Sequence, residues 1–217
     1  MHSVAIMQPY WIPYPGYFRL FKAADTFIVL DDVQHPRRGY VHRNQLLNHE
    51  DNLDWFTLPI KKASRDVQIR DLEFKPDAEA LLKKQKSKFP ILKDGLGVLE
   101  DHINLDQPVI ETLINTLKTI CCELRLDCSW HRSSDIGESH LKGPDRILAL
   151  VKSMQGSRYV NLAGGVDLYD PKRFYRSQVD LAFLEPWEGQ FISILQYMFS
   201  DDRKKMIRKM IDEQSVL

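Results

Sequence analysis

The sequence has no net charge with which to recruit a partner: thirty Lys and Arg residues balance thirty Asp and Glu. That excludes a strong overall field for nucleic acid or an anionic membrane surface, so partners must be found by local chemistry. Cysteine is scarce. Cys121, Cys122 and Cys128 are an odd number without ligand-like spacing, which excludes a disulfide framework and a cysteine zinc site. Neighbouring cysteines on a helix point apart, and buried thiols in a reducing cytoplasm are expected. No apolar run approaches the roughly 20 residues of a membrane span, and "MHSVAIMQPYW" carries no basic leader, so a soluble, cytoplasmic protein without a membrane partner is expected. Repeats, low-complexity linkers and any Ser-His-Asp or Cys-His grouping are also missing. Covalent catalysis has no support.

What is present is an alternation of strand-like and helix-like stretches over 217 residues, enough for one α/β domain spanning 1–217. Strands are predicted at Val4–Met7, Phe27–Asp31, Trp55–Ile60, Asp127–Arg132, Tyr159–Leu162 and Leu181–Glu185. Several lack the polar alternation of a sheet with one wet face, which points to a mostly parallel, buried sheet with helices on both faces. Helical periodicity covers Tyr17–Ala24, Ala78–Lys88, Pro108–Leu124 and Pro144–Met154, with Pro108 and Pro144 where proline suits a first turn. Residues 191–217 read as C-terminal helices, Phe191–Phe199 and Asp202–Gln214, capping the sheet. The lysines around Ala78–Lys88 fit a solvated face better than an anion patch.

Proline and aromatic residues concentrate in one place. Met7–Tyr17, "MQPYWIPYPGY", holds three prolines, three tyrosines and a tryptophan directly after the first predicted strand. In parallel α/β sheets ligands collect beyond the carboxyl ends of strands. Prolines 9, 13 and 15 restrict φ and stiffen the loop, and Gly16 permits a close approach. Gln8, Tyr10 and Tyr14 are therefore candidate binding residues, with flat faces and hydroxyls for a sugar or base. A loop of this kind can also serve only as packing. The next strand ends "LDDVQHPRRGYVHRN", placing Asp31, Asp32, Gln34, His35, Arg37, Arg38, His42, Arg43 and Asn44 within fourteen positions. If the first two strands are parallel neighbours, Gln8, Tyr10 and Tyr14 are expected to converge with Asp32, Arg43 and Asn44 in one pocket.

Asp31 and Asp32 alternate across the strand, so at most one faces the crevice. A carboxylate paired with Arg38 or Arg43 would be positional, whereas one beside the other carboxylate would have a raised pKa suited to a general base. Asp32, His42 and Arg43 are the candidate catalytic residues. Gln8, Tyr10, Tyr14, Gly16, Gln34, Asn44, Gly164 and Gly165 are the candidate substrate-binding residues. The glycine pair lets backbone amides approach a ligand, and a tight turn explains it equally well. His35 and His42 match no metal signature, so no metal site is assigned, and no cofactor can be named. His131 is a candidate pocket member, and Lys142 could meet an anion at a helix start.

"QPYWIPYPGYFRLFKAADTFIVLDDVQ", "RGYVHRN", "WFTLPI", "YVNLAGGVDLYD" and "FISILQYMF" resemble, in order and spacing, the WbqC-like protein family. The loop pattern falls on Gln8, Pro9, Tyr10, Pro13, Gly16 and Tyr17, "DDVQ" on Asp31 to Gln34, and "RN" on Arg43 and Asn44. Where members often carry lysine or tyrosine after "VQ", this chain has "HPRR", which leaves the role of His35 open. The resemblance implies an enzyme of bacterial O-antigen and related surface polysaccharide (lipopolysaccharide) synthesis, a transferase moving an aminoacyl group, such as glycine, onto a nucleotide-linked amino sugar. The acyl donor could be a tRNA, a carrier protein or an adenylate. The alternative is nucleotide-sugar binding or nucleotidyl transfer without acyl transfer. A Rossmann-like sheet is expected. The strand, proline loop, glycine and helix are also similar to the start of nucleotidylyltransferase-type folds, but this loop lacks their histidines.

Overall fold

Residues 1–213 are described by a computed structural model. The chain runs β1 (Ser3–Met7), α1 (Arg19–Ala23), β2 (Thr26–Val29), a hairpin of β3 (Arg43–Leu47) and β4 (Leu53–Thr57), then α2 (Ala78–Lys86) and α3 (Val109–Leu124). It continues with β5 (Ser129–Arg132), α4 (Ser133–Ile136), α5 (Gly143–Ser153), β6 (Arg158–Asn161), α6 (Pro171–Arg176), β7 (Asp180–Phe183), α7 (Leu195–Met198) and α8 (Asp201–Asp212). Gln214, the predicted last residue of the final helix, and the rest of 214–217 lie outside the described residues.

Five strands form one wholly parallel sheet in the order β5-β2-β1-β6-β7. Numbered by their appearance in that sheet, this is 3-2-1-4-5, the start of the doubly wound order that dinucleotide-binding sheets use. The chain winds outward from β1 in one direction, then returns to the other side of β1 to place β6. Val4, Ile6, Ile28 and Tyr159 face Leu150 and Val151 of α5 and Phe174 of α6. Ala5, Phe27, Val29, Val160 and Ala182 belong to the opposite core, with Phe21 of α1, Leu117 of α3, Leu195 of α7 and Ile211 of α8. Burial on both faces is why the strands read as apolar runs.

Two predicted elements differ from what is observed. Trp55–Ile60 does not join the main sheet. Its first residues belong to β4, antiparallel to β3, an element with no counterpart among the predicted strands. Phe191–Phe199 is helical only over Leu195–Met198. Ahead of that turn the chain is pinned in place: the Ser193 N–H donates to the Gln45 carbonyl at 2.9 Å and the Ile194 N–H to the Pro13 carbonyl at 2.9 Å. These external bonds replace the helical ones. The cysteines are also not uniformly buried, since Cys121 is buried and Cys122 exposed, as opposite faces of α3 require. Lys83, Lys84 and Lys88 are exposed, the last paired with Asp54 at 3.5 Å, as a solvated face would have it. Among the described residues no helix is long and apolar enough to cross a membrane.

Candidate functional site

The sheet order reverses between β1 and β6, and a cavity of about 510 Å³ opens there. Met7 and Gln8 leave β1 along one side; Asn161 and Leu162 leave β6 along the other. Tyr10 and Tyr14 of the first loop, Tyr40 from the segment after β2, Gly164 and Gly165 after β6, and Phe191 complete its rim. Tyr159 and Tyr169 stand at its base with their hydroxyls 3.2 Å apart. Gln8, Tyr10, Tyr14, Gly164 and Gly165 thus share one hollow.

The first loop divides its labour by residue. Trp11 and Tyr17 are fully buried and Ile12 is 1% exposed, so these side chains seal the core, while Gln8, Tyr10 and Tyr14 between them reach the cavity. The Tyr17 hydroxyl donates to the Gln8 carbonyl at 2.8 Å, fixing the strand end. Ile12 has φ of +41°, a strained value for a β-branched residue. It is held there because its carbonyl accepts the Asn44 amide at 2.9 Å and the Ser193 hydroxyl at 2.7 Å. Asn44 also donates to the Trp11 carbonyl at 3.3 Å. Gly16 is not a lining residue; its absent side chain makes room, since a Cβ there would lie 2.5 Å from the Tyr14 ring and 2.7 Å from Trp187.

Asn44 is therefore a brace beneath the loop, 2% exposed and outside the cavity lining. Asn44→Ala removes the amide from the Trp11 carbonyl and leaves the Ile12 carbonyl only the Ser193 hydroxyl; it is expected to cost about 1–3 kcal/mol and to release Tyr10 and Tyr14 from the rim. Chemical denaturation and hydrogen exchange across residues 8–17 measure both; unchanged exchange in that segment would contradict the bracing role.

Asp32 and Arg43 do not join the cavity either, so the expected single pocket is not formed. β1 and β2 are parallel neighbours, but the carboxylates turn to the other side of β2, toward β5. Asp31 accepts Arg132 Nε at 2.8 Å, the Ser134 N–H at 3.0 Å and the Ser134 hydroxyl at 2.9 Å. Asp32 accepts the Ser133 hydroxyl at 2.5 Å and pairs with Arg146. Neither carboxylate pairs with Arg38 or Arg43. Burial opposes the Asp32 charge, but the bonds from Ser133 and Arg146 outweigh it and hold the carboxyl below its usual range, the reverse of the raised value a general base would need. Arg43 lies instead with its guanidinium 4.1 Å from the Trp55 ring centroid and donates to the Gly39 carbonyl at 3.3 Å. Gln34 is exposed and donates to the Arg65 carbonyl at 2.8 Å. His131 lines a smaller hollow beside Trp130 and Arg132, and Lys142 is exposed ahead of α5.

His35 and His42 form an edge-to-face pair 5.0 Å apart, each with a buried Nδ1 that has no partner among the described residues. Among the described residues no third ligand joins them in a metal-holding group. Burial, then His35, then Arg43 push His42 down to about 4, and burial and Arg37 lower His35. Both are thus neutral in the fold and protonate more readily when unfolded. Between the unfolded value near 6.5 and the folded value the unfolded chain binds more protons, so stability falls as pH drops through that window. Thermal melts should show the midpoint declining from about pH 6.5 toward 4, with His42→Gln flattening that decline. A pH-independent midpoint would contradict the burial of the pair.

A doubly wound α/β sheet with a tyrosine-rimmed cavity at its switch point defines the class of protein. The chain belongs to the WbqC-like protein family, whose profile matches residues 8–197. Among curated proteins it is similar to the uncharacterized protein Rv1507c of Mycobacterium tuberculosis (strain ATCC 25618 / H37Rv), 38% identical over 186 residues, 74% of this chain and 72% of that protein. No solved structure matches the chain. The matched segment contains Gln8, the first residue after β1, and the end of β6. Sequence reasoning missed Asn161, although "YVNLAGG" placed it at a strand end, and missed Ser133 and Arg146, which carry no local signal of their pairing with Asp32.

Proposed function

We propose that the protein is an enzyme of bacterial surface polysaccharide synthesis that binds a nucleotide-linked amino sugar in the switch-point cavity and transfers an aminoacyl group, glycyl in the simplest case, to the sugar amine. The observation carrying this reading is the position of the cavity, outside the carboxyl ends of β1 and β6, where open α/β sheets bind ligands. Family membership suggests the pathway. The Asn161 and Gln8 carboxamides and the tyrosine hydroxyls at the rim are suitable donors for an acyl oxygen that gains charge. Burial among uncharged groups also lowers the pKa of an amine, which favours its nucleophilic form.

One observation favours the second reading, sugar-nucleotide binding or nucleotidyl transfer without acyl transfer. Among the described residues, the cavity lining contains no carboxylate and no imidazole to take the ammonium proton. Asp32, His42 and Arg43 lie outside that lining, Asp32 nearest through Arg146, the chain neighbour of the lining residue Ile147, so in the first reading the amine proton passes to the departing group of the acyl donor. Incubation with nucleotide-linked amino sugars and activated glycine, followed by mass spectrometry, separates the two. A gain of one glycyl unit supports transfer; binding without it, or release of pyrophosphate, supports the second.

A further inference from the structure

Among the described residues, not one that lines the switch-point cavity carries a formal charge. Its hydrogen-bonding groups are carboxamides and phenols. Asn161 is 5% exposed, and its Oδ1 accepts the Leu162 N–H at 2.8 Å. Only the oxygen of a carboxamide can accept, so this bond fixes which way the amide faces. The Nδ2 is left without a hydrogen-bond partner among the described residues. Gly165 packs against it: a Cβ at that position would collide with the same Nδ2. The Gln8 carboxamide and the hydroxyls of Tyr10, Tyr14 and Tyr40 are also unpartnered among the described residues.

We propose that this cavity takes an uncharged, carbonyl-bearing ring, the glycosyl end of a nucleotide-linked sugar with an acceptor on Asn161 Nδ2, and that the diphosphate stays outside. The proposal rests on the reading of the site given above. A phosphate drawn into this lining would lose its hydration with no cation to replace it. The buried cation of α1, Arg19, lies behind Tyr14 and outside the lining, where it donates to the Glu185 carbonyl and lies 5.8 Å from the Trp187 ring centroid. The 3-10 turns at the rim, Pro15–Phe18 and Ala163–Leu168, are too short to supply much dipole. Tyr14 stays neutral, since burial and then Tyr10 push its hydroxyl up to about 12. Tilted rings such as Tyr14 and Phe191, 4.8 Å apart, present the flat apolar faces on which a sugar ring rests.

Fluorine NMR of protein labelled with 3-fluorotyrosine, with Tyr10, Tyr14 and Tyr40 assigned by single Phe variants, reads the cavity directly. The probes are N-acetylglucosamine, its 6-phosphate, UDP and UDP-N-acetylglucosamine. The neutral sugar and the UDP-linked sugar should move the three resonances. The 6-phosphate should bind at least about tenfold more weakly, and UDP alone should leave them in place. Asn161→Asp, which keeps the acceptor and replaces the donor with a carboxylate, should weaken the neutral sugar by about tenfold, the upper end for one lost hydrogen bond. Equal or stronger shifts with the 6-phosphate or with UDP would overturn the proposal, as would a panel in which no probe moves them. Sugar-induced shifts without any glycyl product leave this proposal standing and sink only the transfer reading.

Discussion

Arg146→Ala is expected to lower stability by about 3–5 kcal/mol, the range for stranding one member of a buried ion pair, and to lower the melting midpoint by roughly 6–20 °C for a chain of this size. Arg146 is 7% exposed and Asp32 5%. Without the guanidinium, Asp32 keeps the Ser133 hydroxyl but loses the one cation paired with it among the described residues. The cost then lies in an uncompensated buried charge more than in a lost contact. Adding Asp32→Asn to Arg146→Ala should recover part of the loss, because a neutral amide in that site needs no counterion. If the double variant is no more stable than the single one, the damage comes from a packing void. Acid follows the same logic. The folded Asp32 pKa is depressed, so its contribution is present above the ordinary carboxylate value and is lost as pH falls through the lower, folded value. That places it below the histidine window.

The architecture was readable because it rests on period and composition. Buried apolar runs at Val4–Met7, Phe27 onward, Tyr159–Leu162 and Leu181 onward identified four of the five parallel strands closely. The fifth, β5, covers the last four residues of Asp127–Arg132. Strand order is not written in any local pattern, yet order decides where a cavity opens. Two strand ends dense in polar residues, after β1 and after β2, suggested one crevice between them. The reversal instead lies on the far side of β1, so Gln8, Tyr10 and Tyr14 meet Gly164 and Gly165 from β6, while Asp31 and Asp32 meet Ser133, Ser134 and Arg146, about a hundred residues away in sequence. The β3–β4 hairpin was half missed because "RNQLL" mixes polar and apolar residues in a strand whose alternate side chains are buried. Its Asn44, which looked like a ligand contact, spends both amide donations on backbone carbonyls.

The largest functional effect is expected from filling the cavity. Gly164 lines it, has nothing within 4 Å of the position a Cβ would occupy, and needs no left-handed backbone. A Cβ there meets no atom and the backbone needs no positive φ, so the fold should tolerate a leucine, whereas Gly165→Leu would strike Asn161. Substrate has no such tolerance. If the four-carbon side chain folds from this lining position into the hollow of about 510 Å³, it takes space a sugar ring would need, and a loss of at least about hundredfold in affinity, roughly 2.7 kcal/mol, is expected. Affinity and stability are separated here as they are not at Arg146 or Asn44. The decisive measurement is calorimetric titration of a nucleotide-linked amino sugar into the native protein and into Gly164→Leu, beside a thermal melt of each. Binding to the native protein, lost in a variant whose melting midpoint is unchanged, is the expected result; full affinity in Gly164→Leu would contradict the assignment of the switch-point cavity as the substrate site.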